Sequence, residues 1–308
     1  MKIDVLYHWH EPPGFGALAL ADAKALGVVQ NAIPMTMAPA ADVYDALKKS
    51  DASAIVFVSP AQYADFLTQV PDLRALGKPL ISFATEWCYG NPITAYRNFQ
   101  DSAAFFDFYA CGQECDALAM RRLGRPSSVF PLWVSTMAFR PGPPLHERKQ
   151  RLAFVGDTTE YRPGIYATRR RMLSALQARG LIDIIHIPKG IPTAHQVACL
   201  YANYAAVFCP PSNGRGQSIR AYEAAAAGAL ILEAQPMEPE NEHFKAGRHR
   251  LALDPDISDS DLCDFVASLD FPQHQEIATR ATELVQQHFT AAAILPQLVA
   301  AADKTPTA

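Results

Sequence analysis

The sequence predicts an α/β protein made of two Rossmann-like, doubly wound domains facing a cleft, and three observations carry that expectation. Short apolar runs alternate with amphipathic stretches along almost all 308 residues, the pattern of repeated βαβ units around parallel sheets. A proline-dense passage (Pro131, Pro141, Pro143, Pro144) and the polar run His146 to Arg151 then interrupt the alternation. Proline fixes φ and removes a donor, so this passage suits neither a helix interior nor a central strand. The alternation restarts at Arg151-Leu-Ala-Phe-Val-Gly-Asp157, a strand that ends in a glycine turn. The domains are therefore expected at 1–140 and 150–308.

In the first half, strands are expected near 2–8, 28–33, 54–58, 79–84, 106–111 and 128–133. Ala17 to Leu26 reads as a helix ended by Gly27, and Ala40 to Lys49 as one whose two terminal lysines suit the negative end of the helix dipole. In the second half, strands follow at 182–187, 205–209, 229–233 and 250–253. Thr193 with Gln196, and Ser258 with Asp261, have the spacing of helix-start caps, and Pro272 can open a further helix. Two consecutive helical patterns, about 273–288 and 291–303, close the chain.

Composition narrows the function. Hydrophobic residues make up 49% and charged residues 19% of the chain, which excludes extensive disorder. Residues 1–140 carry 11 basic and 13 acidic side chains and residues 141–308 carry 16 and 18. Neither half has the basic surface that a phosphate backbone demands, so nucleic acid is not an expected partner. No apolar run approaches the ~20 residues of a spanning helix, and MKIDVLYHWHE turns polar too early for a signal peptide. Cys88, Cys111, Cys115, Cys199, Cys209 and Cys263 lie mostly in apolar patterns and read as reduced thiols of a cytoplasmic protein.

The segment from Pro210 to Gly228, PPSNGRGQSIRAYEAAAAG, is the most informative. It leaves the end of a strand, crosses a loop with Gly214 and Gly216, and enters an alanine-rich helix at about Ser218. Free amides and the positive dipole end at that point can hold an anion, and Arg220 in the first turn adds charge-assisted donors for a pyrophosphate. Glu223, one turn deeper on the same face, could accept hydrogen bonds from the two hydroxyls of a ribose. The alternative is an Arg220–Glu223 surface pair on an ordinary helix.

FVGD (154–157), an arginine-bearing loop (Arg162, then Arg169-Arg170-Arg171), IPTAHQVACLYANYAAVFCPPSN (191–213) and SIRAYEAAAAGALIL (218–232) together resemble the C-terminal domain of GT-B glycosyltransferases. Among these the chain looks most like the CgeB-like group of family-1-type transferases. HFKAGRHRLALDPD (243–256), ATELVQQHFT (281–290), GKPLISFATEWCYGNP (77–92) and residues 106–141 extend the likeness to about two-thirds of the chain. The resemblance implies an N-terminal acceptor domain, a C-terminal donor domain whose last helix packs back on the N-terminal one, and hexosyl transfer from a nucleotide-diphosphate sugar. A UDP-sugar is the favoured donor, used as co-substrate with neither cofactor nor metal; the acceptor, whether saccharide, protein or small molecule, stays open.

Residue by residue, the resemblance makes Glu223 the ribose carboxylate and places Arg220, Ser218, Asn213, Gly214 and Arg215 beside the diphosphate. Gly156 and Asp157 form the turn the donor approaches, Arg162 is a phosphate cation, and Pro188 and Lys189 flank the base. Many retaining members carry another Glu eight residues before the ribose Glu, where this chain has Arg215. The stereochemical outcome therefore does not carry over.

Two first-domain loops hold the catalytic candidates. In His8-Trp-His-Glu11, His10 is the first choice for a general base that takes a proton from an acceptor hydroxyl, ahead of His8 and Glu11. Glu86, in Thr85-Glu-Trp-Cys-Tyr-Gly90, has aromatic neighbours suited to a sugar ring. Asp254-Pro-Asp256 has the form of a metal-binding Asp-x-Asp, but it runs into a helix start. Cys111 and Cys115 could share a helix face without completing a zinc set, and His243 is a secondary donor-site candidate. A nucleotide-sugar epimerase of the same fold, or a non-catalytic sugar- or nucleotide-binding module, are the alternative functions.

Overall fold

The computed structural model describes residues 1–7, 16–35, 39–58, 69–70, 72–84, 105–156, 165–185, 194–210, 217–234 and 243–304. They form two compact units: Met1–Ser135 together with Phe289–Ala308, and Thr136–His288. Each unit is built on one parallel sheet.

In the first unit, β1 (Ile3–Tyr7), β2 (Val29–Pro34), β3 (Ala54–Val58), β4 (Leu80–Ala84), β5 (Phe108–Cys111) and β6 (Ser127–Val129) pair in the order β2-β1-β3-β4-β5-β6. Every residue of β3, β4 and β5 is buried. This is why these strands read as unbroken apolar runs: a parallel sheet is covered on both faces. Helices α1 (Ala17–Ala25), α2 (Ala40–Lys49) and α3 (Glu114–Arg122) accompany the sheet. The chain end supplies a further helix, Ala291–Asp303 (α9 in chain order), which is capped by the Thr290 hydroxyl and packs on α1 and β4.

Two local expectations change. The strand expected at 128–133 stops at Val129, because Pro131 has no N–H to continue the ladder; beyond it Trp133 stacks on Phe83 with ring centres 4.5 Å apart. Cys111 and Cys115 share no helix face, since Cys111 ends β5 and Cys115 lies in α3.

The second unit contains β7 (Lys149–Val155), α4 (Ile165–Ala178), β8 (Ile182–Ile185), α5 (Ala194–Asn203), β9 (Tyr204–Cys209), α6 (Ile219–Ala226), β10 (Leu230–Ala234), β11 (Leu251–Leu253), α7 (Asp259–Ala267) and α8 (Gln275–His288). Its strands are ordered β11-β10-β9-β7-β8, all parallel. Ser258 Oγ accepts from the Asp261 amide at 3.1 Å and caps α7, while Pro272 lies in a 3-10 turn that leads into α8. Thr193 of the other expected cap is outside the described residues. Gly27 and Gly228, at φ +74 and +71, follow α1 and α6 as C′ glycines.

The strand order positions the site. From β7 the chain moves to β8 on one side and then crosses to β9 on the other, so the β7/β9 boundary is a topological switch point. In open α/β sheets, ligands bind at such a crevice, outside the carboxyl ends of the strands.

Candidate functional site

Four of the expected donor-site residues converge where β7 and β9 end. Ser218 precedes α6 as its N-cap residue. One turn on, Arg220 Nε donates to the Val155 carbonyl at 2.9 Å, and its guanidinium lies 4.8 Å over the Phe154 ring. Gly156 follows at φ +154, where a Cβ would sit 2.8 Å from Arg220 Nη2 and 3.1 Å from Phe154 Cζ. Only a glycine leaves this corner open without shifting the arginine.

Glu223 lies beneath Arg220 on α6 and is only 8% exposed. No described residue donates a hydrogen bond to its carboxylate or pairs with it within salt-bridge distance. This overturns the reading of Arg220 and Glu223 as a surface pair. Burial raises the Glu223 pKa from its ordinary 4.5 to about 7, with the nearby Arg220 charge opposing the rise. Tyr201 of α5, fully buried beside the same two residues, has its phenol pushed well above the usual range by burial and by the Glu223 charge. Buried polar groups are normally satisfied, so a carboxylate left without donors marks a place where a ligand belongs.

The start of α6 adds to the polarity. Ser218 Oγ is buried and caps nothing. It lies close enough to the buried Cys209 thiol to favour the thiolate, without hydrogen-bond geometry to a described acceptor. Burial, followed by the Glu233 charge, raises that thiol's pKa. The first-turn amides of a helix have no intrahelical acceptor and carry its positive dipole end.

A buried polar cluster that sequence reasoning missed fastens a second segment to this corner. Gln217 Oε1 accepts from the His243 and Phe244 amides, both at 2.8 Å, while its Nε2 donates to Glu233 Oε2 at 2.8 Å. Arg250, fully buried, donates from Nε to the Phe244 carbonyl at 2.8 Å and lies 3.4 Å from Glu233 Oε2. The signal was present: a Glu inside ALILEA and an Arg beside LAL are opposite charges in apolar strand patterns, and buried charges are paired. The cluster brings His243 to 6.3 Å from the Tyr222 ring. Burial, then Lys245, lowers the His243 pKa to about 4, so its imidazole is neutral near pH 7.

The remaining candidates separate. His10, Glu86, Asp157, Arg162, Pro188, Lys189, Asn213, Gly214 and Arg215 lie outside the described residues, as do His8 and Glu11. Arg171 is held away from any phosphate role by the carbonyls of Pro255 and Ile257 and by Asp259. Asp254 Oδ1 accepts from the Asp256 amide at 2.8 Å, closing a turn before α7. Among the described residues no helix is long and apolar enough to cross a membrane.

No family model matches the sequence, and no curated protein matches it. Solved structures do match. Sucrose-phosphate synthase from Thermosynechococcus elongatus superposes with a TM-score of 0.60 at 13% identity, covering 97% of each chain. Anabaena HepE in complex with UDP and glucose gives 0.65 at 12% identity, over 99% of this chain and 100% of that one. AviGT4, a glycosyltransferase involved in avilamycin A biosynthesis, gives 0.59 at 13% identity, over 99% and 97%. Two parallel-sheet units with this strand order and these neighbours give the chain the fold of the GT-B glycosyltransferases.

Proposed function

We propose that the protein is a glycosyltransferase that moves a hexosyl group from a nucleotide-diphosphate sugar, with a UDP-sugar as first candidate, to an acceptor hydroxyl. The observation that carries this reading is Glu223, a buried carboxylate without described donors, one turn inside a helix that begins at the β7/β9 switch point. Ribose hydroxyls would supply the missing donors, and the diphosphate would then lie at the first turn, near Ser218, Arg220 and the Gly156 corner. A neighbour of the same fold binds UDP and glucose, which supports a nucleotide-sugar donor.

In this reading the second unit holds the donor and the first the acceptor. The acceptor oxygen forms a bond to the anomeric carbon as the bond from that carbon to the diphosphate oxygen breaks. The acceptor's proton passes to a general base, for which His10 is the first candidate and Glu86 the second. The nucleoside diphosphate leaves with the bonding electrons, its charge met by the α6 amides and by Arg220, Arg162 or Arg215, preorganised electrostatics of the kind such a step needs. Asp157 would border the phosphates, Asn213 and Gly214 would line the loop beside them, and Pro188 and Lys189 would flank the base. With these cations in place the step requires no metal.

The test is incubation with UDP-, GDP-, dTDP- and CMP-sugars without acceptor, reading both thermal shift and product. A shift with slow release of free nucleotide supports the transferase. Epimerised sugar nucleotide, binding without turnover, or no shift with any donor rejects it.

A further inference from the structure

A second site lies at the opposite end of α6. A groove of about 330 Å³ in the second unit is lined by Pro141, Gly228, Thr279, Glu283 and Gln286, with Arg148 at its floor. That volume is at the small-ligand end of binding pockets. Gly228 follows the last turn of α6, so the groove is remote from Ser218 and Arg220 at the first.

Arg148 is 6% exposed. Its Nε donates to the Pro143 carbonyl at 2.6 Å, and its Nη1 reaches the Tyr201 and Tyr204 carbonyls at 3.4 and 3.5 Å. Those bonds pin the backbone and explain why a long polar side chain is buried here. They do not use Nη2, which donates to no described acceptor, and no carboxylate pairs with the guanidinium among the described residues. Nη2 is beside two residues of the groove lining, since a Cβ on Gly228 would be 3.0 Å from Nη2 and 3.4 Å from Pro141 Cβ. Burial without a counter-charge lowers even the Arg148 pKa to about 10. A buried charge is normally paired, and this one meets only carbonyl dipoles.

The groove wall is otherwise satisfied or exposed. Thr282 Oγ1 donates to the Ala225 carbonyl at 2.8 Å, and Thr279 Oγ1 to that of Gln275 at 2.9 Å. Glu283 is exposed on the same helix and pairs with no described residue. The groove thus presents a cation with unused donors at its floor and an unpaired carboxylate at its rim, held apart.

We propose that this groove is a binding site for a small carboxylate that also carries a cationic or hydrogen-bond-donating group, an α-amino acid being the simplest case. The carboxylate sits on Arg148 Nη2, where a charge-assisted bond replaces the missing counter-charge, and the ammonium faces Glu283. A dianion such as phosphate is disfavoured by the rim carboxylate. The site is independent of the donor reading.

The experiment titrates the full-length protein with glycine, acetate and inorganic phosphate at constant ionic strength and follows amide chemical shifts of residues 141–148 and 279–286. Glycine should saturate, binding several-fold more tightly than acetate and more tightly than phosphate. Glu283→Gln should erase the preference for glycine over acetate. Thr279→Glu, a solvent-facing change that leaves the core intact, should weaken acetate and phosphate several-fold through like-charge repulsion and glycine much less, because its ammonium offsets the added charge. Glu223→Ala should change none of them. Absence of saturation by any probe, phosphate binding more tightly than glycine, or acetate affinity insensitive to Thr279→Glu overturns the proposal, whatever becomes of Arg148 variants that fail to fold.

Discussion

Arg220 Nε bonds the Val155 carbonyl at 2.9 Å and so ties the first turn of α6 to the end of β7. This spends one donor of the guanidinium on the scaffold and fixes its plane over Phe154. What remains for a ligand is the edge that faces Gly156. Arg220 therefore acts as a fixed wall of the corner, and substitution by Lys, which lacks the fork, should weaken binding of a UDP-sugar by about tenfold or more while leaving the fold intact. Calorimetric titration of the two proteins measures this.

Glu223→Ala should remove the thermal shift given by nucleotide sugars. Hydrogen bonds to a charged group contribute about 1.5–3 kcal/mol each, so losing both ribose contacts raises Kd by about a hundredfold or more. A ligand at 100 times its Kd stabilises by about 2.7 kcal/mol, most of which should vanish. An unchanged shift in the mutant would refute the ribose assignment.

The same residue predicts a pH dependence of stability. Its folded pKa, about 7, lies above the ordinary 4.5, so the folded protein favours the protonated form. The contribution is present in full below pH 4.5 and is lost as pH rises through 7. At about 1.4 kcal/mol for each pH unit it is on the order of 3 kcal/mol. Glu223→Gln, which stays neutral, should accordingly gain stability over the wild type between pH 5 and 8, as denaturation midpoints at each pH will show. Donor binding should behave in the opposite sense, strengthening as the carboxylate ionises.

Gly156→Ala should displace the Arg220 head and strain a backbone at φ +154. The expected cost is about 1–3 kcal/mol of stability, with weakened donor binding, read by chemical denaturation and by titration of the donor.

Glu233→Ala would leave Arg250 buried without its carboxylate and break the Gln217 clamp on residues 243–250. Removing one partner of a buried pair costs about 3–5 kcal/mol. Chelation by EDTA, by contrast, should leave transfer unchanged, since arginines and helix amides supply the positive charge in the proposed step.

Much of this architecture was legible in the chain. The apolar runs AIVFV and LISFA became β3 and β4 because a sheet covered on both faces needs no alternation. Gly156, Ser218, Arg220 and Glu223 could be grouped because a strand end, a glycine loop and a helix start are local features with a known direction. Gln217, Glu233 and Arg250 could not. Their partnership joins three segments distant in sequence, and a carboxamide that bonds two backbone amides leaves no spacing to read. The lack of described donors to Glu223 was likewise invisible, since sequence placed it beside Arg220 without showing that Arg220 Nε is taken by the Val155 carbonyl. Pro131 interrupts the apolar run 128–133, and β6 ends before it.

The last helix, α9, belongs with the first 135 residues although 153 others come between them. A fragment ending at Ser135 would leave bare the surfaces of α1 and β4 that α9 covers, whereas Thr136–His288 is contiguous and carries its whole sheet. Dissection of this protein into halves should therefore yield a soluble second unit, and a soluble first unit only when the final twenty residues are grafted onto it.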